Sequence, residues 1–588
     1  MKRSGAVVAL LAAAAISVGC RGRPRSWDAP VEGAEGDVRA PIVAELDLTS
    51  GAPEKSAGGL LSMPSKYTFD ALVASLHKMA GRKEIKGVLV SFGSASLGWA
   101  RAREVGTALS KLRERGVSVL CHADAWDNTT YAAAVRGCDT IAMSPGGEVE
   151  LTGPAAVIPY MHELLVTQLH AQVDMLQIGK FKGAEEPLTR DGPSDEFRAS
   201  LENALSAITS SYREGLAIRG VAALAGTGPY MGQETIDQKL VDLLVDLKGA
   251  RDEAKKRAGG VPVAVVFGPH EKTQSTGLFD LLRSLSQQGS ESSSRPHVSL
   301  VRLNGEISLG DGGGLFGSAG IDASKVVEHA HALLADDDVK AVVLRIDSPG
   351  GSALGSDNAW IALKELRDKK PVIVSIGEMA ASGGYYLAST GTRIFAEPES
   401  IVGSIGVVGG KISFEGSLAM IGVHTASFGD PRAAQVASMT QPWDDATKAR
   451  LQAGMETIYG LFLDRIEAGR GRPKATFSNA VEGRVFGGAQ AKELGLVDEL
   501  GGLAEALAAA KKAGGLAEDA PVVADSSGGF FEQLFSSGDD EARLPMGLRL
   551  GQGAPIELVA MRDWLLSFVR ATEGGRVAAM LPSPLVVR

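Results

Sequence analysis

The residues able to do chemistry in this chain fall in three short stretches. The first is Asp347-Ser348-Pro349-Gly350-Gly351-Ser352, directly after an apolar, β-rich run. A Pro-Gly-Gly turn leaves backbone N–H groups uncovered by side chains, so it can donate to an anion or an oxyanion. The second, Glu378-Met379-Ala380-Ala381-Ser382-Gly383-Gly384-Tyr385-Tyr386, also follows an apolar run. Small residues on both sides of Ser382 permit a sharp turn that projects its Oγ, with the Gly383 N–H and a helix N-terminus aimed at the same point. Alone, the first stretch reads as a strand-end turn and Ser382 as an ordinary N-cap. Two Gly-rich turns closing neighbouring strands read instead as a nucleophile with an oxyanion hole.

A serine nucleophile needs a base. None of the nine histidines lies in a motif that pairs it with Ser382, and His329 and His331 face apart on a helix. No His-Glu-x-x-His or Cys-x-x-Cys is present, so nothing calls for a metal, and no other cofactor is expected. A lysine can serve if it is neutral, which means bringing its pKa from about 10.4 towards about 7 by desolvation and neighbouring positive charge. The third stretch, Ile178-Gly179-Lys180-Phe181-Lys182-Gly183-Ala184-Glu185-Glu186-Pro187, offers two candidates. In an extended segment Lys180 and Lys182 share a face, so spacing leaves both open, and each would lower the pKa of the other. The plainer reading is two solvated lysines paired with Glu185 and Glu186.

These stretches are positioned by a repeat. Ile85–Val90 matches Val339–Leu344 at an offset of 254, as do Val117–Leu120 with Pro371–Val374 and Tyr131 with Tyr385. Leu240-Val241-Asp242 matches Leu496-Val497-Asp498 at 256. A tandem duplication of an α/β domain follows. In the second copy Ser299–Leu303, Val339–Ile346 and Val372–Ile376 read as strands. Ser324–Ala335, with Val326, Val327, Ala330 and Leu333 on one face, and Ser356–Arg367 read as helices, and another starts at Gly383. Strands buried on both faces and separated by helices imply a mainly parallel sheet with right-handed crossovers. The expected organisation is residues 41–286, a polar linker at 287–296, residues 297–516, and an extension at 517–588 of unassigned role containing one apolar helix candidate, 556–569.

With 588 residues, 44% hydrophobic and 22% charged, the chain is an ordinary globular one, neither wholesale disordered nor polytopic. A net charge of -10 argues against a nucleic-acid partner. Lys2 and Arg3, the apolar stretch Ala6–Val18 and then Gly19-Cys20 read as a secretory signal. A run of about 13 apolar residues is short of the ~20 that span a bilayer. A cysteine after Ser17-Val18-Gly19 resembles a bacterial lipoprotein box, although Ser17 stands where Leu is usual. Lipidation at Cys20 would make it the mature N-terminus, with residues 21–40 as a tether. Cys121 and Cys138 are expected to be two buried thiols.

Taken together, the tandem organisation, Asp347–Ser352, Ala381–Tyr386 and Gly179–Pro187 resemble the long, duplicated form of the bacterial signal peptide peptidase A family, also called protease IV, over about residues 41–516. The resemblance implies a Clp/crotonase-like fold in tandem and a serine endopeptidase with a Ser-Lys dyad. It maps the nucleophile to Ser382 and the base to Lys182 rather than Lys180, with Gly350 or Gly351 and Gly383 lending oxyanion N–H groups. It further implies cleaved signal peptides and other small or unfolded peptides as substrates. The resemblance also implies the cell envelope as the place, with the catalytic domains facing the periplasm, and a homo-oligomer, a tetramer, as the assembly. Gly183 stands where the family often has Ser, so a hydroxyl able to orient the lysine is missing, and Leu188 replaces a common Phe. The first copy has Asn128 in place of Ser382, and the second has Val436 near the place of Lys182, which implies one composite site. A crotonase-like acyl-thioester enzyme and a catalytically degenerate peptide-binding scaffold are the alternative readings.

Overall fold

The computed structural model describes residues 41–54, 67–268, 295–310, 320–524, 577–580 and 586–587. The expected signal segment, Cys20, the tether, the 556–569 helix and all but two residues of the linker lie outside the described residues.

The same six-strand order occurs twice. In the first copy it is Val263–Phe267, Ile42–Leu48, Ile85–Phe92, Ser118–Ala123, Thr140–Met143 and Leu243–Leu244, all parallel. In the second it is Val522–Ala524, His297–Asn304, Val339–Ser348, Val372–Ala381, Arg393–Ala396 and Glu499–Leu500, again all parallel. The second sheet therefore runs past residue 516, where the repeat was expected to end, because Val522–Ala524 fills the edge that Val263–Phe267 fills in the first copy. Repeat-matched residues make matched bonds. Tyr131 donates to the Leu240 carbonyl at 2.7 Å and Tyr385 to that of Leu496 at 2.9 Å. Asp242 accepts from Ile141 N and Asp498 from Ile394 N, both at 2.8 Å.

Local chemistry explains the elements. Ala323–Ala335 buries Val326, Ala330 and Leu333, and Asp322 caps it by accepting from Ser324 N at 2.9 Å. The helix expected from Ser356 begins earlier, at Ala353, since Ser352 caps Gly355 N at 3.1 Å. The strand expected to end at Ile376 continues to Ala381, because the Gly/Ala-rich run after it pairs with Ile401–Gly403. One continuous apolar core includes Val90, Cys121 and Tyr131 of the first copy with Val343, Ala381 and Leu503 of the second.

Cys121 and Cys138 form a disulfide, with Cα atoms 6.0 Å apart, rather than two buried thiols. Cys121 lies on the strand Ser118–Ala123, and Cys138 caps the helix Asn128–Gly137, which packs back beside that strand.

A third sheet joins the copies. Its order is Ile321–Asp322, Ile307–Ser308, Gly350–Ser352, Val577–Met580, Val407–Ser413 and Gln172–Ile178. Gln172–Ile178 belongs to the first half of the sequence, yet it pairs antiparallel with Val407–Ser413 of the second over seven residues, from Ile178↔Val407 to Gln172↔Ser413. That pairing carries the segment after Ile178 to the end of the second copy's sheet.

Candidate active site

Ser382 follows directly on the strand Val372–Ala381 and is the N-cap of the helix Gly383–Ala388. Its φ of +53° puts it in the left-handed region, a strained turn between strand and helix that sets Oγ apart from both elements. Its N–H donates to the Gly403 carbonyl at 2.7 Å, which pins the turn to the neighbouring strand. Serine 382 is fully buried.

Lys182 reaches this serine from the other copy. Nζ lies 2.7 Å from Ser382 Oγ, 2.7 Å from the Ser404 carbonyl oxygen and 3.0 Å from Ser404 Oγ. Nζ donates to both Ser404 oxygens and is in hydrogen-bond contact with Ser382 Oγ, so three oxygens surround it. The side chain is wholly buried, and burial holds its pKa well below the usual lysine value, with the charge of Glu185 opposing that shift. Lys180 does not share its face. The segment turns after Gly179 instead of running extended, so Lys180 is exposed and lies over the Phe181 ring, with Nζ 5.0 Å from its centroid. Burial, not repulsion from Lys180, depresses Lys182.

The hydroxyl that Gly183 leaves missing beside the lysine is supplied by a residue that sequence reading missed. Ser404 supplies both oxygens to Nζ and is itself held at φ +52°, donating its N–H to the Arg484 carbonyl at 2.6 Å. No local motif marks it, because it meets Lys182 only through the cross-copy sheet. Gly183 shows why the hydroxyl is not next door. Its φ is +53°, and a Cβ there would sit 2.5 Å from the Phe197 ring, so a serine has no room. Leu188, the other departure, is buried against Met161, Leu165, Ala171 and Ile412.

The Pro-Gly-Gly turn closes on the serine. A Cβ built on Gly383 would stand 3.2 Å from Gly350 Cα, so the two turns touch. Ser348 fixes the first turn, donating to the Gly305 carbonyl at 2.6 Å and accepting from Gly350 N at 3.2 Å. Gly351 pairs with Ile307 on one edge of its short strand. Glu378 ties the end of the Ser382 strand to the first copy, accepting from Ala100 N at 3.1 Å and Arg101 N at 3.0 Å at the start of the helix Trp99–Glu114.

The corresponding places in the other copies carry no such constellation. Asn128 opens the helix Asn128–Gly137, and its amide is spent. Nδ2 donates to Thr152 Oγ1 at 3.0 Å, and Oδ1 accepts from Gly153 N at 2.9 Å. Val436 is a half-buried residue of the helix Pro431–Ala437. Among the described residues no group of three or more His, Cys, Asp or Glu side chains is arranged to hold a metal ion.

Comparison with known proteins agrees with this architecture. The model of peptidase family S49 matches residues 364–517, which contain Ser382. Protease 4 of Haemophilus influenzae is 28% identical over 466 residues, covering 76% of this chain and 73% of its own. Protease 4 of Salmonella typhi is 27% identical over 500 residues, covering 82% and 74%. A Synechocystis protein assigned as a protease is 32% identical over 211 residues, covering 36% of this chain and 72% of its own. The chain, a tandem pair of Clp/crotonase-like α/β domains, belongs to peptidase family S49 and is a serine endopeptidase.

Proposed function

We propose that Ser382 is the nucleophile and Lys182 its general base, in a composite site made from both halves of the chain. The observation that carries this reading is the 2.7 Å separation of a fully buried lysine Nζ from a fully buried serine Oγ. Ser382 Oγ attacks the peptide carbonyl carbon as its proton passes to the Lys182 lone pair. The ammonium so formed is held by the two Ser404 oxygens and returns the proton to the departing amine nitrogen. The N–H groups of Gly383 and of Gly351, or of Gly350 once it leaves Ser348 Oγ, stabilise the oxyanion. A water then attacks the acyl-enzyme, giving a proton to Lys182, which passes it back to Ser382 Oγ.

The substrates in this reading are cleaved signal peptides and other small or unfolded peptides of the cell envelope. The chain is held there through lipid on Cys20, its catalytic domains facing the periplasm. Lys2, Arg3, the apolar stretch Ala6–Val18 and Gly19-Cys20 support that attachment. Among the described residues no helix is long and apolar enough to cross a membrane. Homo-oligomeric assembly is supported by the apolar side chains exposed around Met420, Ile421, Val423 and Phe428, the last 93% exposed.

The test is labelling of the full chain with a serine-directed acylating probe, followed by peptide mapping. The expected adduct is on Ser382 and is lost in Lys182→Met. An unlabelled Ser382 in a chain that cleaves peptides would overturn the assignment.

A further inference from the structure

We infer that Val577–Met580 is an internal pseudosubstrate: this segment occupies the slot that receives an extended peptide, and a substrate must displace it. The inference rests on the Ser382–Lys182 reading and concerns how that site is filled.

The slot is defined by its two walls. One is Gly350–Ser352, the short strand leaving the Pro-Gly-Gly turn, and the other is Val407–Ser413, which begins three residues after Ser404. Val577–Met580 lies between them, antiparallel to both. Gly350 faces Met580, Gly351 faces Ala579 and Ser352 faces Ala578 on one side. On the other side Val408 faces Ala578 and Gly409 faces Val577. Neighbouring strands lie about 4.8 Å apart, so the two walls are separated by the width of one inserted strand. Each wall offers a row of backbone N–H and C=O groups, the arrangement by which sheet edges capture extended peptides.

The position of the slot ties it to the chemistry. Its Gly350 end touches Gly383. Its other wall pairs on the far side with Gln172–Ile178, which leads to Lys182. The backbone opposite Gly350 therefore lies beside the reacting serine, where a scissile peptide has to be. The Val577–Met580 sequence, Val-Ala-Ala-Met, has no proline and no charge, so it can enter a ladder along its length. Val586–Val587 pairs antiparallel with Ala156–Val157 of the first copy and fastens the segment further on. A peptide cannot pair with both walls while this strand is present. An endopeptidase that uses the slot must release it.

The experiment has a binding arm and a turnover arm. In the binding arm, a fluorescent peptide with the sequence of residues 574–583 is titrated against two forms of Ser382→Ala, the full chain and one truncated after Gly575. The expected result is binding to the truncated form and at least tenfold weaker binding to the full chain, since a site free one-tenth of the time loses about tenfold in apparent affinity. Equal binding to both forms, or none to a truncated form that retains its folded spectrum, overturns the inference whether or not Ser382 is the nucleophile. In the turnover arm, Ser352→Cys with Ala578→Cys, two positions directly opposed in the ladder, is oxidised to lock the strand. Hydrolysis of an unstructured peptide should fall at least about tenfold and recover on reduction, while Ala578→Cys alone is indifferent to reductant. A verified cross-link that leaves hydrolysis unchanged overturns the inference. This arm needs no truncation, so a folding defect in the shortened chain leaves it intact. Loss of acyl labelling at Ser382 in an active chain, by contrast, counts against the dyad and not against the slot.

Discussion

At the scale of the residue, the proposed dyad rests on one amine whose pKa burial lowers. Lys182→Met is close in shape and cannot take a proton, so it should lose peptidase activity to the same degree as Ser382→Ala, by roughly 10³-fold or more in kcat. Lys180→Met should stay within a few-fold of wild type and keep the acidic limb of the pH–rate profile in place, because Lys180 is solvated and plays no part in the Lys182 shift. Glu185 does play a part. Its carboxylate favours the charged lysine, so removing it lowers the Lys182 pKa further and moves the acidic limb of kcat/KM to lower pH, by up to about one unit. Glu185 is itself pushed up to about 7, mainly by burial, so it exerts this charge only where it is ionised. A limb measured below pH 7 should thus hardly differ between wild type and Glu185→Gln, and one measured above should differ. An upward shift in Glu185→Gln contradicts the sign.

At the scale of the element, the strands and helices of the second copy were legible because each announces itself locally. Apolar runs bounded by turn residues gave the strands, and Val326, Ala330 and Leu333 gave a helix face. The two Gly-rich turns were legible for the same reason. Ser404 was not, since its role depends on Gln172–Ile178 pairing with Val407–Ser413 across more than two hundred residues, and neither strand carries a sign of the other. Nor was the path of the lysine segment, where an assumed extended backbone put Lys180 and Lys182 on one face. The turn that separates them follows Gly179, at φ +102°, and Gly183 just beyond Lys182 is a second left-handed glycine, so its substitution tests the element. Gly183→Ser restores the residue common in the family and adds a hydroxyl near the base, yet it should reduce activity. Both the left-handed backbone and the 2.5 Å approach to Phe197 oppose a side chain, at a cost of about 1–3 kcal/mol. Steady-state kinetics with a thermal melt check this, and a variant as active and as stable as wild type would show that the segment has another conformation open to it.

At the scale of the whole molecule, the repeat showed that there are two copies, and the division of Lys182 and Ser382 between them, with Val436 and Asn128 in the matching places, pointed to a shared site. What binds the copies face to face was hidden, because buried charges look like surface charges in sequence. Arg345 on the strand Val339–Ser348 is 1% exposed and donates to Glu54 at 2.6 and 3.0 Å and to Glu104 at 2.7 Å, both from the first copy. Glu104 also accepts from Leu503 N at 2.6 Å. Burial, with a smaller push from the neighbouring carboxylate of Glu54, raises Glu104 to about 7 even though Arg345 pulls it down. A carboxyl whose folded pKa lies above its unfolded value contributes stability that is complete below about 4.5 and is lost as pH rises through about 7. Arg345→Met removes the pull towards lower pKa and raises Glu104 further, leaving two buried carboxylates without a cation. The variant should be closest to wild type near pH 4.5. It should fall behind as pH rises towards 8, by about 3–5 kcal/mol, the cost of breaking a buried pair from one side. Denaturant unfolding of both proteins across that range measures the difference. A gap that is constant with pH would mean that Arg345 acts through packing alone, whereas a gap that widens assigns the joint between the copies, and with it the registry of Lys182 on Ser382, to this charge cluster.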